Sequence, residues 1–60
     1  MDQNLYLEIV EHYLKKAEME LTPETRAEAL RWCQARGQRS GRAAYQFSKH
    51  WIGSQQLKIL

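Results

Sequence analysis

Apolar side chains in the first third of the chain recur every three or four residues, which is the period of one helical face. They are Tyr6, Ile9, Val10, Tyr13, Leu14 and Ala17. Asp2 suits the N-cap position because its carboxylate can accept a backbone N–H and lies at the positive end of the helix dipole. The pattern predicts a first helix over about residues 2–19.

A second helix is indicated by its start and its end. Thr22 is a suitable N-cap, and Pro23 falls at the first helical position, where a missing N–H does no harm. Gly37 can adopt the left-handed conformation that ends many helices. We therefore predict a helix over residues 22–36. Its apolar line is expected to comprise Leu30 and Cys33, with Ala29, Trp32 and the aliphatic stem of Arg26 alongside.

A third helix is predicted over residues 40–52. Ser40 is a suitable N-cap, and Gly53 is expected to end the helix. The apolar stripe between them consists of Ala43, Ala44, Phe47 and Trp51, bordered by Tyr45 and Ile52. Residues 54–60 show no periodicity long enough to predict an element.

These elements predict an all-α fold, a small three-helix bundle with a short C-terminal tail. Residues 1–53 would form the helical domain and residues 54–60 the tail. No strand pattern or internal repeat is present in the sequence. The expected core residues are Ile9, Val10, Tyr13, Leu14, Leu30, Cys33, Ala44, Phe47 and Trp51.

The charge is distributed unevenly along the chain. Residues 1–24 carry two lysines against six acidic residues, a net −4, whereas residues 25–60 carry seven basic residues against one glutamate, a net +6. A basic half favours an anionic partner, such as phosphate, nucleic acid or an acidic protein surface. The single cysteine cannot form an internal disulfide, and no apolar run is long enough to span a bilayer. We expect a cytoplasmic protein with no membrane partner.

The sequence contains no catalytic machinery. It has no glycine-rich loop with a lysine, and therefore no phosphate cradle of an NTPase. His12 and His50 fall on different predicted helices without a second set of ligands, which argues against a metal site. Cys33 lies on an apolar line and is interpreted as an inert core residue, because a reactive thiol needs exposure and nearby positive charge. The chain is therefore expected to be non-catalytic.

The most informative stretch is the basic turn between the second and third helices, residues 36–42. It contains three arginines and two glycines, and a helix begins within it at about Ser40. Free N–H groups and the positive dipole end at a helix start favour an anion. Arg42, on the first turn, can add a guanidinium fork to the same place. The alternative interpretation is a solvated turn whose arginines keep the chain soluble.

A helix-turn-helix is a second interpretation of the same stretch, because a short glycine-containing turn joins two helices of suitable length. The third helix offers few long polar side chains for reading base edges, with Gln46 as the main candidate. Such a module would contact phosphates rather than read sequence, so binding to nucleic acid would be weak and non-specific. A further alternative is a protein-interaction domain that uses an exposed aromatic residue such as Trp32.

The entry to the last predicted helix reads Arg39-Ser40-Gly41-Arg42. Four other segments belong to the same pattern: Leu5-Tyr6-Leu7-Glu8-Ile9-Val10-Glu11-His12, Arg26-Ala27-Glu28-Ala29-Leu30-Arg31-Trp32, Arg36-Gly37 and Ala43-Ala44-Tyr45-Gln46-Phe47. With these segments the chain resembles the C-terminal helical lid of a bacterial group of AAA+ ATPases of uncharacterised function. The resemblance covers about residues 5–53, and the entry to the last helix is its most specific part.

The resemblance implies a function that depends on another domain. In such ATPases a lid helix offers an arginine, called sensor 2, to the phosphates of the nucleotide, and that residue corresponds by position to Arg42 here. Arg39, Ser40 and Gly41 would complete the phosphate contact, and whether Arg39 or Arg42 faces the nucleotide stays open. The implied partners are a separate P-loop core and neighbouring subunits. ATP and magnesium would be cofactors of that parent protein, and this chain would bind none alone. Since the chain lacks Walker A, Walker B and sensor 1, it is expected to be an excised domain or a truncated product.

Overall fold

Each helix begins at a polar side chain that caps it. The Oδ1 of Asp2 accepts the N–H of Asn4 at 2.7 Å, and the Oγ1 of Thr22 accepts the N–H of Thr25 at 3.2 Å. The computed structural model describes residues 2–37 and 40–59 and contains three helices there. They are α1, Gln3–Lys16; α2, Pro23–Arg36; and α3, Gly41–Ile59. The predicted all-α, three-helix fold is confirmed, and the described residues include no strand.

The first helix ends three residues earlier than the sequence predicted, at Lys16. The N–H of Glu18 bonds to the carbonyl of Lys15, and the N–H of Met19 reaches back to the carbonyl of Leu14 at 2.9 Å. These two bonds form a Schellman motif, which satisfies the last carbonyls of the helix. Glu18 occupies its left-handed position with φ of 60°, where glycine is usual. The end was missed because no glycine marks it.

The third helix is longer than predicted, because Gly53 does not end it. The helix continues through Gly53 to Ile59, so the described part of the predicted tail 54–60 is helical. Gly53 has a negative φ, and an added Cβ at this position would meet nothing within 4 Å. A glycine inside a helix costs about 1 kcal/mol relative to alanine. That cost does not stop a helix that is already formed. Gly37 behaves as predicted, ending α2 with φ of 64°.

The core lies where α1 crosses α3, and α2 packs less extensively against both. Five of the predicted core residues are buried: Val10, Leu14, Cys33, Ala44 and Phe47. Four others are half-buried at its edge: Ile9, Tyr13, Leu30 and Trp51. Four buried hydrophobic residues were not predicted as core: Tyr6, Leu7, Ala29 and Ala43.

The buried line of α2 differs from the predicted one. Thr25, Ala29 and Cys33, each four residues apart, form the buried face, whereas Leu30 and Trp32 are half-buried and Arg26 is exposed. The face is narrow and composed of small side chains, which agrees with the less extensive packing of α2. Thr25 is tolerated there because its hydroxyl is hydrogen-bonded to that of Thr22 at 2.9 Å.

Tyr6 links α1 to α2 from inside the core. Its side chain is fully buried, and its hydroxyl donates a 2.8 Å hydrogen bond to the carbonyl of Ala29. A buried phenol needs such a partner. Ser48 on α3 is buried in the same way, its hydroxyl donating to the carbonyl of Ala44 one turn earlier at 2.7 Å. Within the described part of the chain, no helix has the length and apolar character required to cross a membrane.

Cys33 is buried, as predicted, and its thiol is directed towards the carbonyl of Leu30 at 3.2 Å. We expect a thiol reagent to label it slowly in the folded chain, because a thiolate must form and be reached before it reacts. Labelling should accelerate at least about a hundredfold in denaturant, because a fold with a few kcal/mol of stability is rarely open. Equal rates in buffer and in denaturant would contradict the buried position.

Candidate anion-binding site at the start of α3

The start of α3 is built by Ser40. Its hydroxyl accepts the N–H of Ala43 at 3.1 Å, and its carbonyl accepts the N–H of Ala44 at 3.0 Å. These bonds confirm Ser40 as the predicted N-cap. The N–H groups of Gly41 and Arg42 precede the first intrahelical hydrogen bond, so they are free by helix geometry to bind an external acceptor. The positive end of the dipole of a 19-residue helix lies at the same place.

Arg42 is exposed on the first turn of α3. Among the described residues it has no ion pair, since the two salt bridges found there join Lys15 to Glu11 and Arg31 to Glu28. Further along α3, Gln46 and Lys49 are also exposed, at spacings of four and seven residues from Arg42. Residues at these spacings share one face of a helix. Arg42 therefore begins a polar row on the side of α3 that faces away from the core.

The predicted site residue Gly41 does not lie with Arg42 on this polar row. Gly41 is half-buried and lines a shallow groove of about 430 Å³ together with Leu5, Glu8, Ile9, His12 and Tyr13 of α1. Glu8 places a carboxylate in that groove, which disfavours an anion on the α1 side of the helix start. Arg42 projects about 100° further round the helix. An anion is therefore accommodated best on the Arg42 side. Arg39 lies outside the described residues.

Arg36, the first arginine of the basic turn, is engaged with another residue. The centre of its guanidinium lies 3.8 Å from the centroid of the Trp32 ring, a close cation–π contact. Trp32 itself is half-buried, which corrects its prediction as an exposed aromatic. The spacing of four residues between Trp32 and Arg36 on one helix was the available signal for this pair.

Metal ligands are not grouped in the described residues: no three His, Cys, Asp or Glu side chains there lie close enough to hold one ion. The chemistry that the start of α3 supports is the binding of an anion by exposed N–H groups, a helix dipole and one guanidinium.

Comparisons with known proteins place the chain in a family. No curated protein and no solved structure matches the chain. A family model does match, over residues 1–55, and its description is "Protein of unknown function (DUF815)". Because this match covers nearly the whole sequence, the chain belongs to the DUF815 family.

Proposed function

We propose that this chain is the helical lid of an AAA+ ATPase and that it covers a nucleotide bound by a separate P-loop core. It would be non-catalytic, with Arg42 contributing a sensor-type charge to the phosphates. The observation that carries the proposal is the start of α3, where a capped helix end and an exposed arginine without an ion pair among the described residues lie together. The resemblance of residues 5–53 to such lids supports the same assignment.

The proposed mechanism is electrostatic. The guanidinium of Arg42 and the N–H groups of Gly41 and Arg42 would stabilise the phosphate charge of ATP held by the core. When hydrolysis and release remove that charge, the contact is lost and the lid is free to move relative to the core. Such a movement would report the state of the nucleotide to neighbouring subunits. The core would supply magnesium binding and the phosphate cradle, so the isolated chain should bind ATP poorly.

Arg42→Ala tests this proposal in the parent ATPase, assembled from this domain and its P-loop core. We expect affinity for ATP or turnover to fall about 10- to 100-fold, because a charge-assisted contact is worth roughly 1.5–3 kcal/mol. The lid should stay folded, since Arg42 is exposed. Nucleotide binding by fluorescence anisotropy and phosphate release give the two readouts, and circular dichroism checks the fold.

Two further variants separate the possible outcomes. Lys49→Ala removes a charge from the same exposed face of α3 about two turns further on, and it should leave ATP binding unchanged. Arg39→Ala tests the other candidate arginine. If Arg39→Ala impairs ATP binding while Arg42→Ala does not, the assignment of the arginine is wrong. If neither arginine matters, or if the reading frame upstream of Met1 encodes no P-loop core, the lid proposal fails.

The nucleic-acid alternative has one supporting feature, the exposed row of Arg42, Gln46 and Lys49 on α3. Two cations and one amide on a helix face are suited to contacting phosphates and offer little base readout. Binding through this row would be salt-sensitive and without sequence preference.

A further inference from the structure

A second surface of the chain, the α2–α3 groove, is separate from the residues proposed to contact the nucleotide. It has a volume of about 400 Å³. Its lining includes the aromatic residues Trp32, Phe47 and Trp51 and the basic residues Arg31, Arg36 and His50. The groove contains neither Ser40, Gly41 nor Arg42. Its binding properties can therefore be tested independently of the lid proposal.

The polar groups of this groove are mostly hydrogen-bond donors. Arg36 and His50 are exposed, and Arg36 has no ion pair among the described residues. Glu28 is the acidic residue in the described lining, and it already bonds to Arg31 at 2.6 Å. A ligand for this groove must therefore supply acceptors and negative charge.

Trp32 adds a donor that is not satisfied. Its Nε1 is buried and has no hydrogen-bond partner among the described residues. A buried N–H without an acceptor is costly, and native structures contain few of them. The ring is covered by the exposed guanidinium of Arg36 at 3.8 Å, and the centroid of His50 lies 5.1 Å away. Because Arg36 is exposed, its guanidinium can turn towards an incoming carboxylate, and this movement would uncover the Trp32 ring.

The floor of the groove offers apolar contact area, and its aromatic rings are packed on one another. Phe47 is only 2% exposed and is stacked on Trp51 at 5.8 Å, while it meets Trp32 edge-on at 5.9 Å. Single-stranded nucleic acids need free aromatic faces on which bases stack. A peptide side chain needs only an apolar concavity beside polar partners.

We propose that the α2–α3 groove docks an acidic segment of a partner polypeptide, whose carboxylates meet Arg36 and His50 while an adjacent apolar side chain covers Trp32. The rim selects negative charge and the floor selects an apolar anchor, so both features are needed in the same short segment. The net +6 of residues 25–60 extends the attraction beyond the groove itself.

The test uses the full ¹⁵N-labelled chain, whose two tryptophans give two indole N–H signals. Trp51→Phe assigns them. The probe is a blocked pentapeptide, Asp-Glu-Phe-Glu-Asp. We expect the Trp32 indole signal to move downfield on titration, because its N–H gains an acceptor. Replacing the four acidic residues of the peptide by lysine, or its phenylalanine by glycine, should abolish the shift. No movement of the Trp32 signal with the acidic peptide would overturn the proposal.

Matched variants determine where the peptide binds. Arg36→Gln should lower the affinity for the acidic peptide about tenfold, which is the effect of losing one charge-assisted contact. Arg26→Gln removes the same charge from an exposed site on the same helix, outside the groove, and should weaken binding far less than Arg36→Gln. His50→Gln gives a second groove variant and should also weaken binding. Equal weakening by Arg26→Gln and Arg36→Gln would show non-specific attraction and reject the site. Tighter binding of an oligothymidylate at the same signals would reject a peptide in favour of nucleic acid.

Discussion

Replacing Phe47 with alanine is expected to unfold most of the chain at room temperature. Phe47 is 2% exposed and contacts both tryptophans through aromatic packing. Truncating a buried phenylalanine costs about 3–5 kcal/mol, from lost burial and from the cavity that remains. A single core of this size rarely supplies more than roughly 3–5 kcal/mol in total. Far-UV circular dichroism during urea unfolding measures the loss directly.

Leu57→Ala is the matched control for this prediction. Leu57 lies on the same helix and is 73% exposed, so its truncation removes little buried surface. Its effect should stay within about 0.5 kcal/mol, as for most surface substitutions. If the Phe47→Ala chain unfolds at the same urea concentration as the unsubstituted chain, α3 does not anchor the core.

The helix starts were predictable because they depend on local chemistry. Each cap accepts a backbone N–H from a residue two or three positions further along the chain. The bond therefore depends only on a short segment around Asp2, Thr22 or Ser40. The same holds for the left-handed Gly37 at the end of α2. Capping and turn preferences of single residues are sufficient at such positions.

Two helix ends were not predictable in this way. Glu18 adopts the conformation usually given to glycine, because Met19 and Leu21 beyond it pack against the core and fix the course of the chain. Gly53, in contrast, remains helical although glycine is a frequent terminator. In both cases packing or helix continuation outweighs a local preference of about 1 kcal/mol.

The two candidate sites also differ in how far they depend on local residues or on packing between helices. The geometry of the candidate anion site, a helix start capped by Ser40 with Arg42 exposed on the first turn, could be predicted because it depends on neighbouring residues alone. The α2–α3 groove depends on how two helices pack, and the buried face of α2 was predicted only in part: Cys33 and Ala29 are buried, whereas Leu30 is half-buried. Trp32 consequently lies at a helix interface and not on an open surface. Periodicity identifies a buried face, but it does not determine which side chains of two helices meet across it.

Raising the pH from about 10 to about 12 is expected to destabilise the fold through Tyr6. Burial raises the pKa of Tyr6 to about 12, and negative charge at Cys33 adds to the rise. The unfolded phenol ionises near its usual pKa of about 10, so the unfolded state loses its proton first. The stabilisation is therefore fully present below about pH 10 and is lost as the pH rises through about 12. A shift of this size corresponds to about 3 kcal/mol.

Tyr6→Phe isolates this contribution, because all other titrating groups are common to both chains. Near neutral pH the variant should be less stable by about 1 kcal/mol, the usual worth of the lost hydrogen bond to the carbonyl of Ala29. Its phenyl ring cannot ionise, so its stability should fall less steeply with pH. The free energies of unfolding, measured in urea at several pH values, should therefore cross above about pH 10. A constant difference between the two chains would mean that Tyr6 titrates alike in the folded and unfolded states. The burial of its hydroxyl against α2 would then be contradicted.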